Sequence, residues 1–303
     1  MRLSEDLKSR LPIIRGRYLF DVPLAPVLWF QVGGCADVTF KPADLEDLCF
    51  FLKNKPADLP VSVIGVGSNL LVRDGGVPGV VIRLGRGFTE LRIEDTQVHV
   101  GAAVLDRTVA LYTAEEGITG LEFLCGIPGT IGGALRMNAG CYGSEIAQVL
   151  VHALAVDPQG TVHQLAPEEM GLSYRHCDVP KDWIFVGACL RGEKGEALES
   201  QEKIKTLLET REKTQPIHSR TGGSTFANPE GLSAWKLIDQ AGCRGLQIGG
   251  ARMSDLHCNF MLNTGGATAQ DLEALGEEVR RRVLAESGVE LRWEIERVGE
   301  SSS

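Results

Sequence analysis

The chain has 303 residues, 43% of them hydrophobic and 23% charged, and a formal net charge of -9. That length and apolar content suit a soluble globular protein with cores for two or three domains, and exclude a disordered chain. A net acidic surface repels a phosphate backbone, which excludes nonspecific nucleic-acid binding but leaves room for a local basic pocket.

The eight cysteines are scattered from Cys35 to Cys258 without a Cys-x-x-Cys pair. They read as reduced thiols and give neither a zinc site nor a disulfide framework. The stretch MRLSEDLKSRLPIIRGR lacks the apolar core of a signal peptide, and no run of about 18 apolar residues suits a membrane span. The expectation is a cytoplasmic protein with no metal and no membrane contact; the oligomeric state is not readable.

In chain order, VSVIGVG from Val61, GVVIRL from Gly79 and QVHVGAAV from Gln97 predict short strands bounded by turn residues. DRTVALYTAEE, 106–116, spaces Val109, Leu111 and Tyr112 as a short amphipathic helix. VHALAVD, TVHQL and WIFVGACL predict further strands. The charged, glycine-containing GEKGEALESQEK that follows places a domain boundary near Gly195, giving residues 1–195 and 196–303.

Beyond it, a helix is predicted from about Ser200 to Lys213. A second runs through SAWKLIDQAG, with Ser233 as N-cap and Gly242 past its end. In TAQDLEALGEEVRRRVLAES, Thr268 and Asp271 have capping-box spacing, and Leu272, Leu275, Val279 and Val283 share one face. Strands NFMLN and ELRWEIERVG flank that helix, so the fold class is α+β throughout.

Two glycine stretches stand apart. LCGIPGTIGGALRMNAG, from Leu124 to Gly140, holds five glycines in seventeen residues, yet its other residues are mostly apolar. Bare backbone in an apolar segment lets another surface approach closely. In IGVGSNLLVRDGG, Gly65, Gly67 and Leu70 give only GxGxxL, with strand-like residues where a Rossmann helix should start, which disfavours that fold. Its Gly-Ser-Asn turn could form an anion nest, or both stretches could be tight turns of a β-rich domain.

These stretches, with WFQVGGCAD at Trp29, SYR at Ser173, GGSTFANP at Gly222, AWKLIDQAGCRG at Ala234 and SDLHCNFMLN at Ser254, resemble the UDP-N-acetylenolpyruvoylglucosamine reductase family in motif and in order. The resemblance runs from about Trp29 to Gly299. It implies an FAD-binding fold of the vanillyl-alcohol-oxidase (PCMH) type followed by a smaller α+β substrate-binding domain. The implied reaction is NADPH-dependent reduction of UDP-N-acetylglucosamine enolpyruvate to UDP-N-acetylmuramate in peptidoglycan synthesis, with hydride passing from FAD N5 to C3. The implied FAD contacts are Gly65, Gly67, Ser68, Asn69 and Leu70, then Gly126, Pro128, Gly129, Thr130, Gly132, Gly133 and Asn138.

Hydride addition leaves negative charge at C2 and its carboxylate, and a fixed cation stabilises charge where it develops. Arg175 matches the family's catalytic arginine, although an arginine beside Tyr174 could equally be a surface ion-pair residue. Ser224 matches the proton donor to C2; a serine in an ST-turn is the competing reading. Glu294 matches the family glutamate acting on the enolic intermediate, with Glu290 and Glu296 as close competitors for that role in the same strand. Tyr174, Lys213, Asn228 and His257 match substrate-contacting positions. The span between Arg175 and Gly222 has no room for the extra loop of the family's longer form, so the chain resembles the shorter second type.

Two other readings share the scaffold or the cofactor. One is an FAD-dependent sugar or alcohol oxidoreductase, often carrying FAD covalently on histidine; this chain has no histidine before His99 and none from there to His152. The other is a nonenzymatic flavin-binding module.

Overall fold

The computed structural model describes residues 5–302, which fall into two compact units. The first takes residues 5–20, 38–65 and 79–210; the second takes 21–37, 66–78 and 211–302. The chain therefore passes between units repeatedly, whereas the sequence reading divided it at one point near Gly195.

In the first unit an antiparallel sheet has the strand order Val162–Leu165, Leu150–Val156, Ile184–Arg191, Gln97–Gly101, Leu91–Glu94. Val98, Val100, Ala153, Ala188 and Leu190 on these strands pack with Val109 and Ala110 of the helix Asp106–Glu115 and with Ile131 and Leu135 of the helix Ile131–Met137. The central strand Ile184–Arg191 is buried at every position but its last. This explains why WIFVGACL reads as an unbroken apolar run and not as an alternation.

A second core of the same unit lies on the sheet ordered Arg17–Pro23, Cys35–Lys41, Val77–Ile82, Val61–Val63. Val38, Phe40, Val80 and Ile82 meet Leu48, Phe51 and Leu52 of the helix Leu45–Asn54. That helix was absent from the sequence reading, although its signals are local. The Asp44 carboxylate accepts the Asp47 N–H at 3.0 Å, and Glu46 and Asp47 occupy the first turn, where negative charge meets the helix dipole.

The second unit is organised by the helix Ala269–Ser287. Thr268 and Asp271 form the expected capping box, and Leu272, Leu275, Val279 and Val283 are fully buried among Phe30, Leu71, Phe226, Ile238 and Met261. The expected strand ELRWEIERVG is shorter than its sequence suggested. Only Glu296–Val298 is regular, and it pairs in parallel with Leu70–Val72. Trp293 leaves the strand to lie against Gly276, where an added Cβ would sit 2.1 Å from the indole. Ser233 occupies the N-cap position of the helix Ala234–Gln240 but its hydroxyl caps nothing. Asn228 Oδ1 instead accepts the Ala234 N–H at 2.9 Å, because the preceding turn brings that side chain onto the helix end. No described helix is long and apolar enough to cross a membrane.

Candidate active site

Thr130 is extended (φ -120°, ψ 155°) and starts the helix Ile131–Met137. The helix opens against a strand end, where the Ile131 N–H donates to Val104 O and the Gly132 N–H to Ala102 O, both at 3.0 Å. Orphan donors of a helix start are thereby satisfied by the protein. The glycines of the two stretches then divide by what surrounds them. An added Cβ would meet Cys141 Sγ at 2.7 Å on Gly126, Leu28 at 2.5 Å on Gly67 and Ala102 Cβ at 3.1 Å on Gly132, so these three permit close packing of protein on protein. Gly65 and Gly133 differ. Among the described residues an added Cβ there would meet just the Thr130 hydroxyl, at 3.1 and 3.9 Å respectively, which leaves bare backbone on either side of one polar group. A flat group fits such a cradle, and a side chain would fill it.

Gly133 lies inside a helix, where alanine is favoured by roughly 0.5–1 kcal/mol. Gly133→Ala should raise the melting temperature of the flavin-free chain yet weaken its affinity for FAD. A variant that gains in both would show that the space over Gly133 is not used.

Asp106, the first residue of its helix, braces this segment. Its N–H donates to Gly129 O at 3.2 Å, while its own carboxyl is fully buried and faces the N–H of Gly129. Neither carboxyl oxygen reaches a donor at good hydrogen-bonding geometry. Burial therefore pushes its pKa well above the usual carboxylate range, against the smaller pull of the Gly129 and Asp106 N–H groups. The native chain then binds more protons than the unfolded one between the ordinary and the raised pKa. Stability contributed by this group is greatest below the ordinary value and is lost as pH rises through that window. Asp106→Asn should flatten the dependence: the melting-temperature difference between variant and wild type grows with pH, and a constant difference would contradict a protonated Asp106.

The segment ends on Asn138, a left-handed residue (φ 40°) that is fully enclosed. Its Nδ2 donates to Ser173 O at 3.0 Å and its Oδ1 accepts the Ala147 N–H at 2.9 Å. Both ends of the side chain are thus held inside the protein, at the end of the stretch that the resemblance implies contacts FAD. Through Ser173 it holds a tight hairpin, in which Ser173 and His176 exchange backbone hydrogen bonds at 3.2 and 3.0 Å around Tyr174 and Arg175. Arg175 has φ 52°, a strained conformation for a residue with a Cβ. The turn directs its guanidinium onto Gly140 O at 2.7 Å and over the Tyr174 ring at 5.1 Å. The glycine-rich segment and the arginine are thereby one construction, within the first unit.

In the second unit the loop that carries Ser224 is hydrogen-bonded to the backbone of Glu294. The Glu294 N–H donates at 2.9 Å to O of Thr225, the residue after Ser224, and Asn69 Nδ2 donates to Glu294 O at 3.0 Å. Buried Asn259 fixes the serine loop by accepting the Phe226 N–H at 3.1 Å and donating to Phe226 O at 2.8 Å. Among the described residues an added Cβ on Gly223 (φ 79°) would meet nothing within 4 Å, and the Ser224 hydroxyl has no hydrogen-bond partner. Glu290 is held by Arg280 at 2.8 Å, and Glu296 lies in the strand beside Leu70.

Ser68 and Asn69 make the turn before Leu70, and Pro128 and Gly129 lead into Thr130. Lys213 is exposed near the end of the helix Ala197–Thr214 and makes no ion pair among the described residues. His257 accepts the Asn259 N–H on Nδ1 at 3.3 Å and lies against Phe260; burial lowers its pKa, so the ring is neutral at pH 7. Sequence reasoning missed Asp106, Asn259 and Arg83, the last of which donates to Gly65 O at 3.4 Å. A lone arginine closing the apolar run GVVIR was the only local signal for it. Among the described residues no cluster of His, Cys, Asp and Glu could hold a metal ion.

Two family models match the chain: an FAD binding domain over residues 36–166 and the UDP-N-acetylenolpyruvoylglucosamine reductase C-terminal domain over residues 215–298. Proteins named UDP-N-acetylenolpyruvoylglucosamine reductase from Parvibaculum lavamentivorans and Paramagnetospirillum magneticum are 58% and 56% identical to it. The first alignment covers 97% of this chain and 94% of the relative, the second 98% and 97%. Among solved structures, the crystal structure of the reductase of that name from Thermus caldophilus is similar at a TM-score of 0.81 and 33% identity, over 95% of this chain and 100% of that one.

Proposed function

The chain belongs to the UDP-N-acetylenolpyruvoylglucosamine reductase family, and from that premise we propose how its own residues carry the reaction on UDP-N-acetylglucosamine enolpyruvate in the cytoplasm. Members are FAD-dependent oxidoreductases of peptidoglycan synthesis, with NADPH as co-substrate. The bare backbone at Gly65 and Gly133 around Thr130 fits FAD, which when bound supplies the hydride for C3 of the enolpyruvyl ether.

The observation that carries the assignment of roles is the unpartnered Ser224 hydroxyl on a loop hydrogen-bonded to Glu294. A serine is a weak acid in water, but one held rigidly against a basic carbon can deliver its proton to C2. Asn259 supplies the rigidity, and open Gly223 supplies the access. Glu294, whose backbone position is set by Thr225 and Asn69, assists on the enolic form of the substrate. Arg175 supplies the fixed positive charge for the carboxylate as charge develops at C2. The backbone strain at Arg175 supports that reading, because an ordinary surface arginine gains nothing from a left-handed turn.

Lys213, with no carboxylate partner among the described residues, attracts the nucleotide diphosphate; Tyr174, 45% exposed, offers a ring to the substrate. Asn228 and neutral His257 make weaker contacts, since each also has a place in a turn. Incubating the purified chain with NADPH and the enolpyruvyl nucleotide should give a product that has gained two hydrogens, one equivalent per NADPH consumed. Oxygen consumption with an oxidised sugar and an unchanged enolpyruvyl group would support the oxidase reading instead.

A further inference from the structure

The residues that the resemblance implies as FAD contacts, from Gly65 to Asn138, include no cation, although the diphosphate of FAD brings negative charge into an acidic protein. Arg136, inside the same segment, is committed elsewhere: it donates to Val179 O and Trp183 O at 2.5 and 2.7 Å and stacks 4.7 Å over Phe185. Arg73, in the other stretch, is likewise committed, to Glu273 at 2.9 Å, so a counter-charge comes from outside the glycine stretches.

The sheet of the second core provides one. Its strands Arg17–Pro23, Cys35–Lys41 and Val77–Ile82 are neighbours, and Tyr18, Phe40 and Ile82 pack in or against that core. Side chains alternate across a sheet, so Arg17 and Lys41 share the opposite face, and Arg83 follows directly on Ile82 at the end of its strand. The Arg83 N–H donates to Phe40 O at 2.9 Å, which sets Arg83 beside Lys41, and its Nη2 reaches Gly65 O at 3.4 Å. Among the described residues none of the three makes an ion pair. Burial and the charges of Arg17 and Arg83 lower the Lys41 pKa, and burial lowers that of Arg83. Three cations pressed together without a carboxylate repel one another, and an anion laid among them reverses the sign of that energy.

We propose that Arg17, Lys41 and Arg83 form the cation cluster that binds the FAD diphosphate, with Arg83 at its Gly65 edge. The cluster replaces the charge that the glycine loops lack, and it confers preference for a phosphorylated flavin over the bare ring system. This rests on the family's cofactor and extends it to residues with no previous role.

The test titrates flavin-stripped full-length chain with FAD and with riboflavin, which shares the ring and lacks the phosphates. Combining Arg83→Ala with Lys41→Ala should weaken FAD binding about tenfold to a hundredfold while leaving riboflavin within about twofold, as expected for loss of charge-assisted hydrogen bonds. The dependence of the FAD Kd on NaCl should also become shallower. Arg83→Lys keeps the charge and should recover most of the loss. Equal weakening of both flavins, or undiminished FAD binding, overturns the proposal. Should the double variant fail to fold, Arg17→Gln with Lys41→Gln carries the same comparison, and an unchanged FAD-to-riboflavin affinity ratio there overturns it as well.

Discussion

Ser224→Ala should leave reduction of the bound flavin by NADPH intact and slow its reoxidation by the enolpyruvyl nucleotide by roughly 10²-fold or more, the usual effect of losing a positioned general acid. The first half-reaction needs a flavin cradle and a docking face for nicotinamide, neither of which uses this hydroxyl. The second needs a proton at C2 from a group held in place. Ser224 has that placement, since Asn259 clamps the following residues and the hydroxyl has no other partner among the described residues. Ser224→Cys should regain part of the rate, because a thiol is a stronger acid of nearly the same reach. Stopped-flow absorbance resolves the two steps separately. Equal slowing of both, or of neither, would make Ser224 a structural turn residue.

Arg175→Gly should reduce turnover by about 10²-fold or more, the scale of losing one group aimed at developing charge. Its effect on folding should be small. Glycine relieves a left-handed strain of about 1–2 kcal/mol, and the lost hydrogen bond to Gly140 is worth a similar amount. The two nearly cancel, so denaturation should shift by less than about 1 kcal/mol. A variant that loses activity together with several kcal/mol of stability would assign Arg175 to the scaffold. Asn138→Ala supplies a control from the other direction: it should destabilise the fold by leaving buried groups unsatisfied, and lower turnover only through a loosened hairpin.

The elements written in periodic patterns were legible in the sequence. The helix Ala269–Ser287 has the predicted cap and the predicted buried face, because both signals are local. The strand at ELRWEIERVG was overextended because alternation there reflects a Trp293 that turns to Gly276, a contact between residues far apart in the chain. The helix Leu45–Asn54 was missed despite a capping aspartate, since DLCFFL reads as an apolar run of no fixed period.

The site was legible in its motifs but not in its physics. A glycine proposed to make room for a cofactor and one that makes room for Cys141 look alike in sequence, and their neighbours separate Gly133 from Gly126. Asn138 reads as one more polar residue in the flavin stretch, while its burial shows a clamp joining that stretch to Arg175. Arg83 and Asp106 reach Gly65 and Gly129 across intervals no motif spans.

Turnover requires one transfer, from bound reduced flavin to an enolpyruvyl ether. Reducing the holoenzyme with one equivalent of NADPH under anaerobic conditions and then adding UDP-N-acetylglucosamine enolpyruvate measures it directly. The yellow colour should return without oxygen, in proportion to the nucleotide added. A flavin that stays bleached until air is admitted would contradict the reductase account and leave an oxidase in its place.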